Sequence, residues 1–171
     1  THPFYMARWN ELLEALGIDG ELVNPYWEKT KGEMAAECAN PDVLDKAAIH
    51  SLSCSSPAKA RWKGEPQGHC GFCLPCLIRR ASLADNAPTV YGVPDLTAYS
   101  LVTRQAAGQQ VRSFQLAIRR LARRPELAKL LIHKPGPLTD YPDRIDAYAD
   151  VYRRGLEEVG EILKGVKTAP S

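Results

Sequence analysis

The sequence predicts a mainly α-helical fold with one loop stapled by cysteines, and three observations lead there. Val111, Phe114, Ile118 and Leu121 recur at three and four residues, the spacing of one buried helix face. Ile145, Tyr148, Tyr152, Leu156, Val159 and Leu163 do the same further on. Residues 51–76 break the pattern: they carry Ser, Pro, Gly and Lys with four cysteines and little periodicity. Such a segment buries too little apolar surface to order itself, so something else must hold it. The chain has 171 residues and 44% hydrophobic residues, enough for a core in one domain or a domain with an appendage. A net charge of +2 excludes a bulk polycation but leaves room for a local basic patch.

The elements follow in order. Phe4, Trp9, Leu12, Leu13 and Leu16 predict an amphipathic helix over 3–17, stopped at Gly17. Residues 20–25 are short and apolar, close on Asn24-Pro25, and read as a strand or extended piece. Thr30 with Glu33 three residues on forms a capping-box pattern, which predicts a helix over 30–39. Pro41 opens the next turn, and 43–48 reads as a short helix. A further helix is expected from Cys76 to Leu83, followed by a linker over 86–98 with Pro88, Gly92 and Pro94. From Tyr99 the chain reads as helical to residue 164, broken by Pro125 and by Lys134-Pro135-Gly136-Pro137. Residues 165–171 read as a frayed tail. These readings divide the chain into 1–85, a linker, a helical part over 99–164 and the tail.

The chemistry concentrates in the cysteines. Fifteen residues separate Cys54 from Cys70-Gly71-Phe72-Cys73-Leu74-Pro75-Cys76. Two residues between thiolates let both sulfurs reach one ion, a third joins as a helix begins, and Cys54 closes a tetrahedron. Four thiolates favour a structural zinc ion with no open position for a catalytic water. An iron–sulfur cluster shares the Cys-x-x-Cys-x-x-Cys core, but the usual downstream Cys-Pro is missing. Cys38 stands apart and reads as a packed small hydrophobe. An odd count of five, with a start lacking a basic region before an apolar one, argues against a disulfide scaffold. The expected compartment is therefore reducing and cytoplasmic. No apolar run reaches the length of a membrane span.

Other features leave alternatives open. His69 abuts Cys70 and reads equally as a neighbour of the metal, a substrate-facing group or a solvated side chain. Trp62 and Lys63 suit a loop that stacks a base and neutralises phosphate, or a cover over the metal. Lys29 and Lys31 flank Thr30 at a helix start, where backbone N–H groups favour an anion. Between 101 and 134 six arginines and two lysines face one acid, Glu126, and Arg112, Arg119 and Arg123 fall near one helical face. That stripe fits a phosphate backbone or an acidic partner, and more readily a solvated face opposite the apolar stripe. No Ser-His-Asp set, His-Glu-x-x-His or phosphate-gripping Gly-Lys loop occurs. Ser-Gly-Gly-x-Asp-Ser, the pyrophosphatase loop of nucleotide-activating enzymes, is also missing. The chain starts with Thr1, not Met, and is expected to be a piece of something longer.

Ser51-Leu52-Ser53-Cys54, Trp62-Lys63-Gly64 and His69-Cys70-Gly71-Phe72-Cys73-Leu74-Pro75-Cys76-Leu77-Ile78-Arg79-Arg80 resemble the zinc region of the 7-cyano-7-deazaguanine synthase (QueC-like) family. Upstream, Pro25-Tyr26-Trp27-Glu28-Lys29-Thr30-Lys31-Gly32-Glu33-Met34 resembles that family's Pro-x-x-x-x-Thr-Lys-x-Glu-Ile segment. His2-Pro3-Phe4 with Trp9-Asn10-Glu11-Leu12-Leu13 resembles the helix before it. The likeness spans about residues 1–85. The long loop before Cys70, the added helical region and Ile132-His133-Lys134-Pro135-Gly136-Pro137-Leu138 look more like the QueC-like proteins of bacterial antiphage operons, the QatC type. The resemblance implies that the chain is the C-terminal part of a larger α/β nucleotide-binding (PP-loop, HUP-like) enzyme. Such an enzyme uses ATP to activate a deazapurine carboxylate as an acyl-adenylate for attack by a nitrogen nucleophile. Zn2+ would be structural, beside the deazapurine pocket. Lys31 and Thr30, with Lys63, would line the ATP or substrate cleft, and Arg79 and Arg80 would meet an anionic group. The helical region would engage an operon partner protein. Nucleic acid is the alternative partner.

Overall fold

In the computed structural model, residues 2–58, 61, 64, 68–83 and 89–170 are described. Trp62 and Lys63 lie outside them, as do residues 84–88. The order of elements is α1 (Pro3–Ala15), α2 (Lys31–Ala36), α3 (Pro41–His50), α4 (Leu74–Ser82), β1 (Leu101–Val102), α5 (Ala106–Arg123), α6 (Leu127–Leu131), a 3-10 turn (Pro142–Arg144), α7 (Ile145–Ile162) and β2 (Thr168–Ala169). The fold is mainly helical.

Helix α7 is the spine. Helices α2, α4, α5 and α6 all pack on it, and α2 also packs on α4. The stripe read from the sequence is buried: Val111, Phe114 and Leu121 of α5 meet Leu156 and Val159 of α7. Leu77 of α4 and Leu96, from the stretch read as a linker, join the same core. The helix carrying the last cysteine is thus anchored on the α5–α7 core. Burial of each such side chain contributes about 1.5–3 kcal/mol.

Two local readings differ. Of the two alternatives for residues 20–25, no strand forms. Residues Thr168–Ala169, read as a frayed tail, pair in parallel with Leu101–Val102, Leu101 opposite Thr168 and Val102 opposite Ala169. The Leu101 and Thr103 amides donate to the Lys167 and Ala169 carbonyls, and the Gln115 side chain bonds both the Val166 carbonyl and the Thr168 hydroxyl. Those contacts order the tail. Helix α1 forms but buries only Met6, leaving Trp9, Leu12 and Leu16 exposed. No helix among the described residues is long and apolar enough to cross a membrane.

Candidate metal centre

The knuckle is built by a turn, a helix start and a clamp. Gly71 sits at φ +90°, and a Cβ there would lie 2.7 Å from the Val93 carbonyl oxygen. Both the dihedral and the space require glycine. The Cys73 amide donates to Cys70 Sγ at 3.4 Å, tightening the turn. Cys73 then takes the N-cap position of α4, with no side-chain cap bond, and Pro75 sits in its first turn, so Cys76 is presented in that turn, fully buried beside Leu77. The stretch Tyr91–Val93 backs the knuckle: Gly92 and Val93 amides donate to the His69 and Cys70 carbonyls.

Cys54, Cys70, Cys73 and Cys76 converge, with all four Sγ atoms within 4.8 Å of one another. Cys70 and Cys76 sulfurs are 3.9 Å apart, and Cys73 and Cys54 sulfurs 4.0 Å. Four sulfurs about 2.3 Å from one tetrahedral ion stand about 3.8 Å apart. The donors therefore fit a single metal ion, and the set is compatible with Zn2+. The separations also exceed a disulfide bond by far, and all five cysteines are free thiols.

The thiols are unequal. Burial pushes Cys76 up strongly, reinforced by its thiol neighbours Cys73 and Cys70. Burial also raises Cys70. For Cys73 burial is outweighed by hydrogen bonds from Ser55 and from the Cys76 backbone, which bring it down to about 6. A cation shared among the sulfurs removes this conflict by drawing the protons off.

Arg79 is the clamp. Only 6% exposed, it donates to the Ala48 carbonyl (2.5 Å), the Ser51 hydroxyl (2.8 Å), the Ser53 hydroxyl (3.3 Å) and the Thr89 hydroxyl (3.2 Å). It ties the end of α3, the approach to Cys54 and the strand-like return to one helix. Arg80 donates to the Gly71, Pro94 and Val93 carbonyls and lies 3.8 Å over the Tyr91 ring. It also walls a hollow of about 470 Å³ with Thr89, Tyr91 and Asp95. Both guanidiniums beside the thiols are spent on neutral acceptors, and neither forms an ion pair among the described residues. His69 is buried; its Nε2 donates to the Ser51 carbonyl at 3.2 Å, and its Nδ1 faces Cys76 Sγ at 3.9 Å. Burial first, then Arg79, hold it below its ordinary value.

The other predicted residues lie elsewhere. Thr30 is buried as the cap of α2, with the capping box complete. Its hydroxyl donates to Glu158 of α7, which also accepts from the Gly32 amide. The anion at this helix start is supplied from within the chain. Lys31 is exposed. Ser51, Ser53, Ser55 and Tyr91 carry contacts that spacing did not signal, because serine and tyrosine acquire these roles only when distant segments meet. Compared with known families, with curated proteins and with solved structures, the chain finds no match.

Proposed function

We propose that the chain is the zinc-bearing C-terminal part of an ATP-dependent QueC-like enzyme, in which a carboxylate on a deazapurine is adenylated and then attacked by a nitrogen nucleophile. The observation that carries the reading is the convergence of four thiols within 4.8 Å from a run that resembles that family's zinc region. The metal stabilises the loop and does no chemistry, since four protein ligands leave no open position. ATP would be gripped by a pyrophosphatase loop, a motif this sequence does not contain. The test is the protein isolated from its source cells, assayed for metal content and for ATP–pyrophosphate exchange with deazapurine acids. About one zinc per chain and acid-dependent exchange support the reading. Iron in place of zinc, or no exchange with any such acid, overturns it.

A second reading, a non-catalytic module for nucleic acid or an acidic partner protein, is favoured by one observation. Arg112, Arg119, Arg120 and Arg123 of α5 form no ion pair among the described residues, and α5 has no acid of its own. Oligonucleotide binding that falls steeply with salt would support it; negligible binding at low salt removes nucleic acid.

A further inference from the structure

Away from the cysteines, a cavity of about 380 Å³ opens between α1, the extended segment before Pro25 and the start of α7. Its size lies in the range of small-molecule sites, roughly 300–1,000 Å³. Asn10 builds one wall: its side-chain amide bonds both the Leu22 amide (2.8 Å) and the Leu22 carbonyl (3.2 Å), fixing the extended segment in place. Trp27 and Tyr148 build the other, with their rings edge to face at 5.5 Å.

Arg144 is the unusual group in this cavity. Its guanidinium lies 4.4 Å from the Trp27 ring centre and 4.9 Å from that of Tyr141. Stacking holds a guanidinium by its faces and leaves its in-plane N–H groups for hydrogen bonds, one of which is shared with Tyr148. No carboxylate among the described residues lies within ion-pair distance of it. The one acid lining the cavity among the described residues, Glu21, is exposed and is not paired with Arg144. Asn24, whose Oδ1 accepts from the Tyr26 amide, directs its amide nitrogen to no acceptor among the described residues.

We propose that this cavity is a binding site for a small flat molecule carrying one oxyanion, a carboxylate or a phosphate. Arg144 takes the oxyanion through the N–H groups it does not share with Tyr148. The Trp27 and Tyr148 rings with Met6 supply the apolar wall for the flat part, and Asn24 offers a donor. The site is independent of the metal centre and of any adenylation chemistry.

The test is calorimetric titration of the full chain with two probes, adenosine 5′-monophosphate and 2-naphthoate, against their neutral counterparts adenosine and 2-naphthamide. Single-site binding of at least one anion, with its neutral counterpart much weaker, is the expected result. Which probe binds more tightly separates a phosphate from a carboxylate ligand. Arg144→Gln should weaken the anion by about ten- to a hundred-fold, the scale of a lost charge-assisted hydrogen bond. Glu21→Gln should leave binding unchanged or tighten it, because it removes a like charge. Should Arg144→Gln fail to fold, Arg144→Lys keeps the charge but loses the fork, and weaker binding is expected there too. The proposal is overturned if neither anion binds at millimolar concentration, if the neutral molecules bind as well, or if the folded Arg144 variants match the parent chain.

Discussion

The metal centre turns on single residues. Cys73→Ser removes one of four converging sulfurs and should lower bound zinc from about one equivalent to a small fraction, read by elemental analysis after dialysis. Gly71→Ala should do nearly as much without touching a ligand, because the knuckle needs positive φ and the space filled by the Val93 carbonyl. Metal binding should also depend on pH. Half-buried Cys70 and buried Cys76 hold their protons in the metal-free chain, so a cation must displace them. Affinity therefore falls as pH falls. Below about pH 6 Cys73 is protonated too, and the fall becomes steeper. Competition with a chelating dye across pH checks both the sign and the break; a flat profile would contradict it. A dication held by four thiolates would be a dianion, and Arg79 and Arg80, which form no ion pair among the described residues, would supply positive charge beside it. Replacing Arg79 by Met strands four acceptors and should cost about 2–4 kcal/mol, seen in urea melts. The sequence made the four ligands legible because ligand type and spacing are local chemistry. It left Ser51, Ser53 and Tyr91 silent because their roles depend on which distant segments meet.

At the scale of the element, legibility followed periodicity. The α5 and α7 stripes and the Thr30–Glu33 capping box were readable because each rests on spacings of three or four residues along one helix. The β1–β2 pair was not, since two-residue strands carry no period and take their order from partners some 67 residues away. The exposed apolar side of α1 is a third case: amphipathic spacing predicts a helix but not whether anything covers it. Gly108 marks where α5 crosses β1 at closest approach, a Cβ there lying 2.2 Å from the Val102 carbonyl oxygen. Gly108→Ala, normally favourable within a helix, should instead destabilise by about 1–3 kcal/mol through overpacking. A thermal melt that rises would refute that contact. Thr30→Ala removes a cap and its bond to Glu158, and about 1–2 kcal/mol should be lost.

At the scale of the molecule, one core serves both the helices and the knuckle, because Leu77 and Leu96 sit in it with Val111 and Val159. Stripping the metal should therefore loosen residues 51–73 while α4, α5 and α7 keep their protection in hydrogen exchange. Loss of protection throughout α7 on chelation would show instead that the metal holds the whole fold. The sequence reads 86–98 as a linker, and among its described residues Leu96 sits in the core, a placement that composition does not signal. The parallel pairing of Leu101–Val102 with Thr168–Ala169 has a mechanical consequence. The connection leaves β1 at its C-terminal end and enters β2 at its N-terminal end, so tension on the outer ends drags the two strands in opposite directions along their length. The bonds are then sheared together and cannot be peeled apart singly. Stretched between its two ends, the segment from 101 to 169 should yield in one step, at a force set by that small clasp and the core beneath it.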